Sequence, residues 1–435
     1  MQIMALAQPA SRHIAVVILA VASYHYLQVY ISRKDLPKPR VGGYFHPSFR
    51  NVAETFRNNL ESGLETGASF SVYQNGQALV DLWGGWADLN SHRHWQEDTV
   101  ALTWSMVKGV TALVVARLVD SGVLEYQREV HHYWPEFGTE DKRNITVEML
   151  LSHQAGLAVL DEQIVILDYQ HNWPKVEKIL AAQKPNWPPG TAVAYHAMTW
   201  GMYVDALVRK VDPQHRNVSE YFRQEIAKPL GLDYYIGLPP NLFHRFAQFR
   251  EYSFWEQRIT YANVVPAVLG PYLLPATLSI DTGVQLARAN NPDVLQIGVP
   301  SFIGVGAARD LAKLYDYLGN NGTVGGYRLL SNSAVKLLKE PLTKDLPNLF
   351  FVFYPYSRGL FLKKNKQGHL MVGHSGYGGS YSAADTDSGL GMAYLTNHVS
   401  FHQEDPRADS LMEAFYECYE TYVSAKKKNG QDKRM

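Results

Sequence analysis

Cysteine is nearly absent from this 435-residue chain: Cys418 is the only one. That excludes an intrachain disulfide framework and any thiolate zinc cluster, and leaves the redox compartment open. Net charge is absent too, since 41 Lys and Arg residues balance 41 Asp and Glu residues. No basic footprint is therefore available for nucleic acid. Neither a Walker nor a dinucleotide glycine pattern occurs, so no nucleotide cofactor is expected. No His-Glu-x-x-His is present, and His92/His94 and His131/His132 lie in polar segments without an obvious third ligand, so no metal is expected either. Gly373-His374-Ser375-Gly376-Tyr377 lacks the last glycine of a nucleophile elbow, which removes the α/β-hydrolase reading.

Long apolar runs are scarce apart from one near the amino terminus. Ile14 to Leu27 is strongly apolar, and no acidic residue precedes Asp35. The span His13 to Ser32 carries no Lys, Arg, Asp or Glu and, as a helix, would reach about 30 Å, the thickness of a bilayer core. Arg12 lies on one side of it and Arg33, Lys34, Lys38 and Arg40 on the other. This charge excess argues for an uncleaved anchor with the folded domain on the cytosolic side. The sequons at Asn144, Asn217 and Asn321 would matter only in the secretory lumen, and a mitochondrial destination is a third option. Expected boundaries are therefore 1–40 for an anchor or targeting segment with its linker, 41–424 for the folded domain and 425–435 for an unstructured polar tail.

What the chain does hold is Ser105-Met106-Val107-Lys108 at the start of an apolar helix. Residues three apart share a helix face, so the Lys108 amine can accept the Ser105 proton and release an oxygen nucleophile. Unpaired N–H groups and the dipole at a helix start favour negative charge beside it. A serine there is equally suited to capping the helix. Ser333-x-x-Lys336 and Ser424-x-x-Lys427 match the same pattern, but neither opens a long apolar run, and both are read as chance matches.

Three further segments stand at long separations: Leu150-Leu-Ser-His-Gln-Ala-Gly-Leu157, Pro189-Gly-Thr-Ala-Val-Ala-Tyr195-His-Ala197 and Gly373-His-Ser-Gly-Tyr377. With the Ser-x-x-Lys match, their order resembles the serine β-lactamase and penicillin-binding-protein superfamily, and most of all its class C-like (family VIII) carboxylesterases and animal β-lactamase-like proteins. Val80-Asp-Leu-Trp-Gly-Gly-Trp-Ala-Asp88 and Tyr133-Trp-Pro-Glu-Phe137 carry the resemblance further, which spans roughly residues 45 to 420. It implies Ser105 as the acyl-accepting nucleophile, Lys108 as its proton acceptor and Tyr195 as the partner base. His374, Ser375 and Gly376 would line the cleft, and the N–H groups of Ser105 and Tyr377 would form the oxyanion hole. Tyr195 as plain packing and His374 as a strand histidine outside the chemistry are the competing readings.

Two departures bear on substrate. Ala197 stands where β-lactamases usually carry Asn, and His374 where they carry Lys, so a fixed cation for a substrate carboxylate is missing unless His374 is protonated. Both point to neutral esters. The expected function is thus acyl-enzyme hydrolysis of a small carboxylic ester or amide. A β-lactamase, a small- or D-peptide peptidase and a catalytically weak membrane-tethered scaffold are the alternatives.

The pattern of elements predicts an α/β (α+β) fold: an antiparallel sheet built from both chain ends and flanked by helices, an all-helical subdomain, and the active site at their seam. Predicted helices are Asn51–Glu65, Ser105 to near Gly122, Thr199–Val211, Val218–Ala227, Ala308–Leu318 and Ser410–Val423, the last holding Cys418. Predicted strands are Ser69–Tyr73 and Gln77–Leu82, joined at Asn75-Gly76, then Gly359–Lys363, His369–Val372, Gly379–Ala384 and Gly391–Thr396. Asn144 would open a helix. The aromatic and proline-rich stretch Phe243–Pro300 reads as an insertion, over the cleft mouth or simply packed.

Overall fold

Strands from both ends of the chain meet in one antiparallel sheet: β1 (Val41–Phe45), β2 (Gly67–Gln74) and β3 (Gln77–Asp88) from the first part, β4 (Phe361–Lys364), β5 (Leu370–Ser375), β6 (Tyr381–Asp385) and β7 (Leu390–Thr396) from the last. Their order is β1-β3-β2-β7-β6-β5-β4, with Arg93–His94 paired outside this path to β3. The computed structural model describes residues 23, 37–250, 280–281, 289–350, 352–399 and 405–432. The chain divides into Met1–Pro39 and Arg40–Met435, and everything below concerns the second unit. Apart from residue 23, the expected anchor at 13–32 lies outside the described residues, among which no helix is long and apolar enough to cross a membrane.

The hairpin between β2 and β3 forms where Asn-Gly predicts it. Asn75 and Gly76 take φ of 49° and 81°, the left-handed pair that suits strand twist. Both their N–H groups donate to Asp316, at 2.9 and 2.6 Å, tying the turn to a helix some 240 residues away. β2 joins β7 from Ala68↔Thr396 to Gln74↔Leu390, and this pairing closes the two chain ends into one sheet. Every residue of β7 is buried. Met392 and Tyr394 enter the core with α1 (Arg50–Glu61), while Ala393 and Leu395 enter the opposite core with α2 (Met106–Asp120). A strand covered on both faces reads as continuously apolar, which is why β7 carries no polar alternation.

α2 is itself a central helix, with Met106 through Ala116 and Leu118 buried. It ends as predicted: Gly122 adopts φ 78°, and Val123 N–H donates back to Leu118 O at 3.0 Å. The helical lobe includes α3 (Val147–Leu151), α4 (Trp173–Ala182) and α5 (Thr199–Val211), around fully buried Trp134, Trp200 and Tyr203. Lys142, wholly buried, donates to the Leu180 and Ala181 carbonyls at the end of α4 and so caps it. α6 (Ala308–Gly319) lies against the sheet, and α7 (Pro406–Asp432) covers α1.

The α+β architecture expected from the pattern is present, with five local corrections. The lobe is not wholly helical, because Val193–Ala194 pairs in parallel with Asn348–Phe350 and Ile164–Val165 with Ile280–Asp281. Thr146, not Asn144, caps α3, its hydroxyl accepting the Met149 N–H. The segment expected as one helix over Val218–Ala227 is α-helical only to Phe222 and widens to a π turn over Arg223–Ala227. α7 runs through Asp432 into the expected tail, continued by strong helix formers such as Lys426. Much of the 243–300 insertion, 251–279 and 282–288, lies outside the described residues.

The fifth concerns Glu65, placed by periodicity in α1. It follows the helix and is buried, 3.7 Å from Arg407, accepting hydroxyls from Tyr394 and from Thr396 at 3.0 Å. Burial outweighs Arg407 and raises its carboxyl to about 7. The native state therefore holds this proton more tightly than the unfolded chain, and the stability from it is lost as pH rises from the ordinary carboxylate range through about 7. The melting temperature should fall between pH 5 and 7.5, and Glu65→Gln should flatten that slope. Scanning calorimetry across the window checks this; parallel slopes would contradict it.

Candidate active site

Ser105 sits at the N-cap of α2, on a turn set by its neighbours. Trp104 takes φ 51°, a left-handed conformation that costs a bulky residue about 1–2 kcal/mol. Its ring is held edge-on between Phe249 and Tyr377, at centroid distances of 5.2 and 5.3 Å. Thr103, one residue earlier, hydrogen-bonds Gly304 O through both its amide (2.8 Å) and its hydroxyl (3.0 Å). Strain at the Ser105 turn is thus fixed by packing on both sides.

Lys108 is wholly buried one turn along α2. Its amine donates to Ala197 O at 2.8 Å and Ser301 O at 2.5 Å, and lies 3.3 Å from Ser105 Oγ. Among the described residues no carboxylate pairs with it, and burial drives it well below the ordinary lysine range. Ser301 is held in turn, donating to Met198 O at 2.6 Å and accepting the Gly201 N–H at 2.7 Å.

Tyr195 follows the short strand Val193–Ala194, where its ring lies 5.1 Å from the Lys108 amine. Its hydroxyl is buried and makes no hydrogen bond of normal geometry. Burial raises the phenol well above its ordinary range, and nearby Ser105 only tempers the rise. His374 and Ser375 belong to β5, with Gly376 just beyond; His374 is buried and Ser375 exposed. His374 Nδ1 donates to Ser375 O at 2.7 Å, and its ring lies 6.0 Å from that of Tyr195. Burial lowers His374 to about 3, which disfavours the protonated form considered above at physiological pH.

Glycine lets these pieces approach. A Cβ on Gly109 would collide with the Tyr315 hydroxyl and crowd the His374 Cβ at 3.3 Å, so a side chain here would force the Tyr315 ring and β5 to give way. A Cβ on Gly376 would stand 2.5 Å from Thr103 O. β5 therefore ends directly against the Ser105 turn, with Tyr377 beside Trp104.

Ser105, Lys108, Tyr195, His374, Gly376 and Tyr377 are thus gathered at one place, on the seam between sheet and lobe. Sequence reasoning missed the Ala197 and Ser301 carbonyls, since backbone acceptors leave no side-chain signal. It also passed over His153, quoted only for resemblance. His153 is buried at φ 65°, its ring 4.9 Å from Tyr195, and its Nδ1 accepts the His196 N–H at 3.2 Å. A bulky residue in a left-handed helix end, where glycine is ordinary, was the available sign.

A strand-flanked Ser-Lys helix facing a tyrosine loop and a glycine-terminated strand defines a class of protein that comparison identifies. The Beta-lactamase family model matches residues 52–416, and the chain belongs to that family. It is 31% identical over 370 residues to the esterase/beta-lactamase LipL of Mycobacterium tuberculosis, covering 83% of each chain. Among solved structures it is similar to a family VIII carboxylesterase, at 35% identity and a TM-score of 0.76, covering 87% of this chain and 100% of the other. A penicillin-binding-protein homologue from Caulobacter crescentus gives 30% identity and a TM-score of 0.73, over 87% of this chain and 100% of the other.

The Gly376 contact makes a stability prediction. Gly376→Ala should destabilise the protein by about 1–3 kcal/mol through overpacking against backbone, whereas Ser375→Ala, exposed on the same strand end, should stay within about 0.5 kcal/mol. Chemical denaturation of both variants measures the difference.

Proposed function

We propose that the protein is a serine hydrolase that cleaves neutral carboxylic esters through an acyl-enzyme on Ser105. One observation carries this reading: two carbonyls, Ala197 O and Ser301 O, accept from the buried Lys108 amine while Ser105 Oγ lies 3.3 Å away. A neutral amine has two N–H groups, and both are then engaged. Its lone pair is left for the Ser105 hydroxyl, which donates to it.

The chemistry follows. Lys108 takes the Ser105 proton as Oγ attacks the ester carbonyl, and the N–H groups of Ser105 and Tyr377 hold the developing oxyanion. Tyr195 rests as a neutral phenol, so it acts as a conduit: it passes its proton to the leaving alkoxide and regains one from the Lys108 ammonium. Water then attacks the acyl-enzyme, giving one proton to the same pair; as the tetrahedral intermediate breaks, the pair returns that proton to Ser105 Oγ and the acid leaves. Neutral His374 and Ala197 offer no cation or amide to a substrate carboxylate, which favours plain esters over β-lactams and peptides. Similarity to an esterase/beta-lactamase and to a family VIII carboxylesterase supports ester hydrolysis. We also propose that residues 13–32, uncharged and long enough to span a bilayer, tether the enzyme to a membrane.

The test uses the full chain in detergent with p-nitrophenyl esters, nitrocefin and a D-amino-acid amide. Ester turnover should exceed turnover of the other two, and Ser105→Ala should abolish it along with fluorophosphonate labelling. Lys108→Met should lower kcat/KM by about 10²–10⁴; retention of wild-type turnover in either variant would overturn the assignment. The lowered lysine fixes the sign of the pH profile. Activity should rise from acid towards neutral pH as the amine loses its proton and level off well below about 10.4, where an ordinary lysine would titrate.

A further inference from the structure

Tyr377–Gly379 is a single 3-10 turn between β5 and β6. Gly378 and Gly379 take φ of 85° and 102°, conformations open to glycine, so the turn has little stiffness of its own. An oxyanion donor works by being fixed before charge develops. The N–H of Tyr377 therefore needs an external brace.

Arg407, at the start of α7, supplies one. Its side chain is 3% exposed. Nη2 donates to Gly378 O at 3.0 Å and Nη1 to His398 O at 2.7 Å, so one planar group joins the turn to the segment after β7. Asp405 locks the guanidinium from the other side, accepting Nε at 2.8 Å and Nη2 at 2.6 Å. The Arg407 amide also donates to Asp405, at 2.9 Å, and the Arg407 carbonyl accepts from Asn59 at 3.4 Å. Glu65 stands 3.7 Å away on the α1 side. Gly379 fits flush against Asp405, where a Cβ would collide with the carboxylate.

We propose that Arg407 is a positioning residue for the oxyanion hole, holding the Gly378 carbonyl so that the turn, and with it the Tyr377 N–H two peptide units back, stays aimed at the reacting carbonyl. This rests on the reading of Tyr377 as an oxyanion donor. Arg407 touches no substrate and moves no proton. A buried charge pair contributes little net stability against a well-packed apolar substitute, and its value here is the geometry of a forked group that reaches two carbonyls and a carboxylate together. Lysine keeps the charge but cannot make that set of bonds.

The test compares an oxoester with its thionoester in wild type, Arg407→Lys and Asp405→Asn, with Lys142→Met in the helical lobe as a control for general destabilisation. Sulfur is larger and accepts hydrogen bonds poorly, so a rigid oxyanion hole penalises the thionoester. Arg407→Lys should lower kcat for the oxoester by about 10-fold to 100-fold, less than the about 10²–10³ expected for removing a donor outright. KM should stay within about threefold, and the thionoester penalty should shrink about tenfold. Should Arg407→Lys fail to fold, Asp405→Asn is expected to shift the penalty in the same direction. Lys142→Met should leave the penalty unchanged. A normal wild-type penalty that persists in both Arg407→Lys and Asp405→Asn would overturn the positioning role and leave the oxyanion reading standing. A wild type with no thionoester penalty would overturn the oxyanion reading, and the proposal with it.

Discussion

A lysine amine buried without a counter-ion is the constraint on which this structure turns. Among the described residues Lys108 has two backbone carbonyls and one hydroxyl as partners. A protonated amine in that setting would be costly, because carbonyl dipoles replace water poorly around a full charge. The neutral form is therefore favoured, and a neutral amine is a base. Burial, usually read as a matter of stability, here lowers the amine's hold on its proton.

Keeping Lys108 dry requires three distant parts of the chain to close around it. Ala197 comes from the helical lobe, Ser301 from the segment beyond the insertion, and Ser105 from the head of α2. Glycine at 109 lets α2 meet β5, and glycine at 376 lets β5 end against the Ser105 turn. Backbone strain gathers at the same place, with Trp104 and His153 both left-handed and both buried. Such conformations persist where surrounding packing over-determines them.

The rim of the sheet has a second organisation, built on charge. Glu65, Arg407 and Asp405 link the end of α1, the head of α7 and the glycine turn after β5. The buried guanidinium gives that flexible turn a fixed carbonyl to hang from. The Ser105 turn is thus held by aromatic packing and the Thr103–Gly304 hydrogen bonds, and the glycine turn after β5 by a charged, hydrogen-bonded cluster.

Much of this was legible in the sequence because it rests on local rules. The Asn75-Gly76 turn, the Gly122 helix end and the alternation that marks strands all follow from the preferences of a few adjacent residues. Residue types in order, Ser105 and Lys108, then Tyr195, then His374, marked the chemistry and the family. Glu65 misled because periodicity cannot tell the last turn of a helix from a buried loop, and the expected lobe proved partly stranded because its two-residue strands pair with segments far away.

The sequence by itself determined the local elements and the family, since these depend on spacing and residue chemistry. Only the tertiary structure decided the burial that lowers Lys108 and His374 and the hold of Arg407 on the Gly378 carbonyl. Each of those is set by desolvation and by backbone carbonyls brought from elsewhere in the chain, and neither quantity is written in any one stretch of residues.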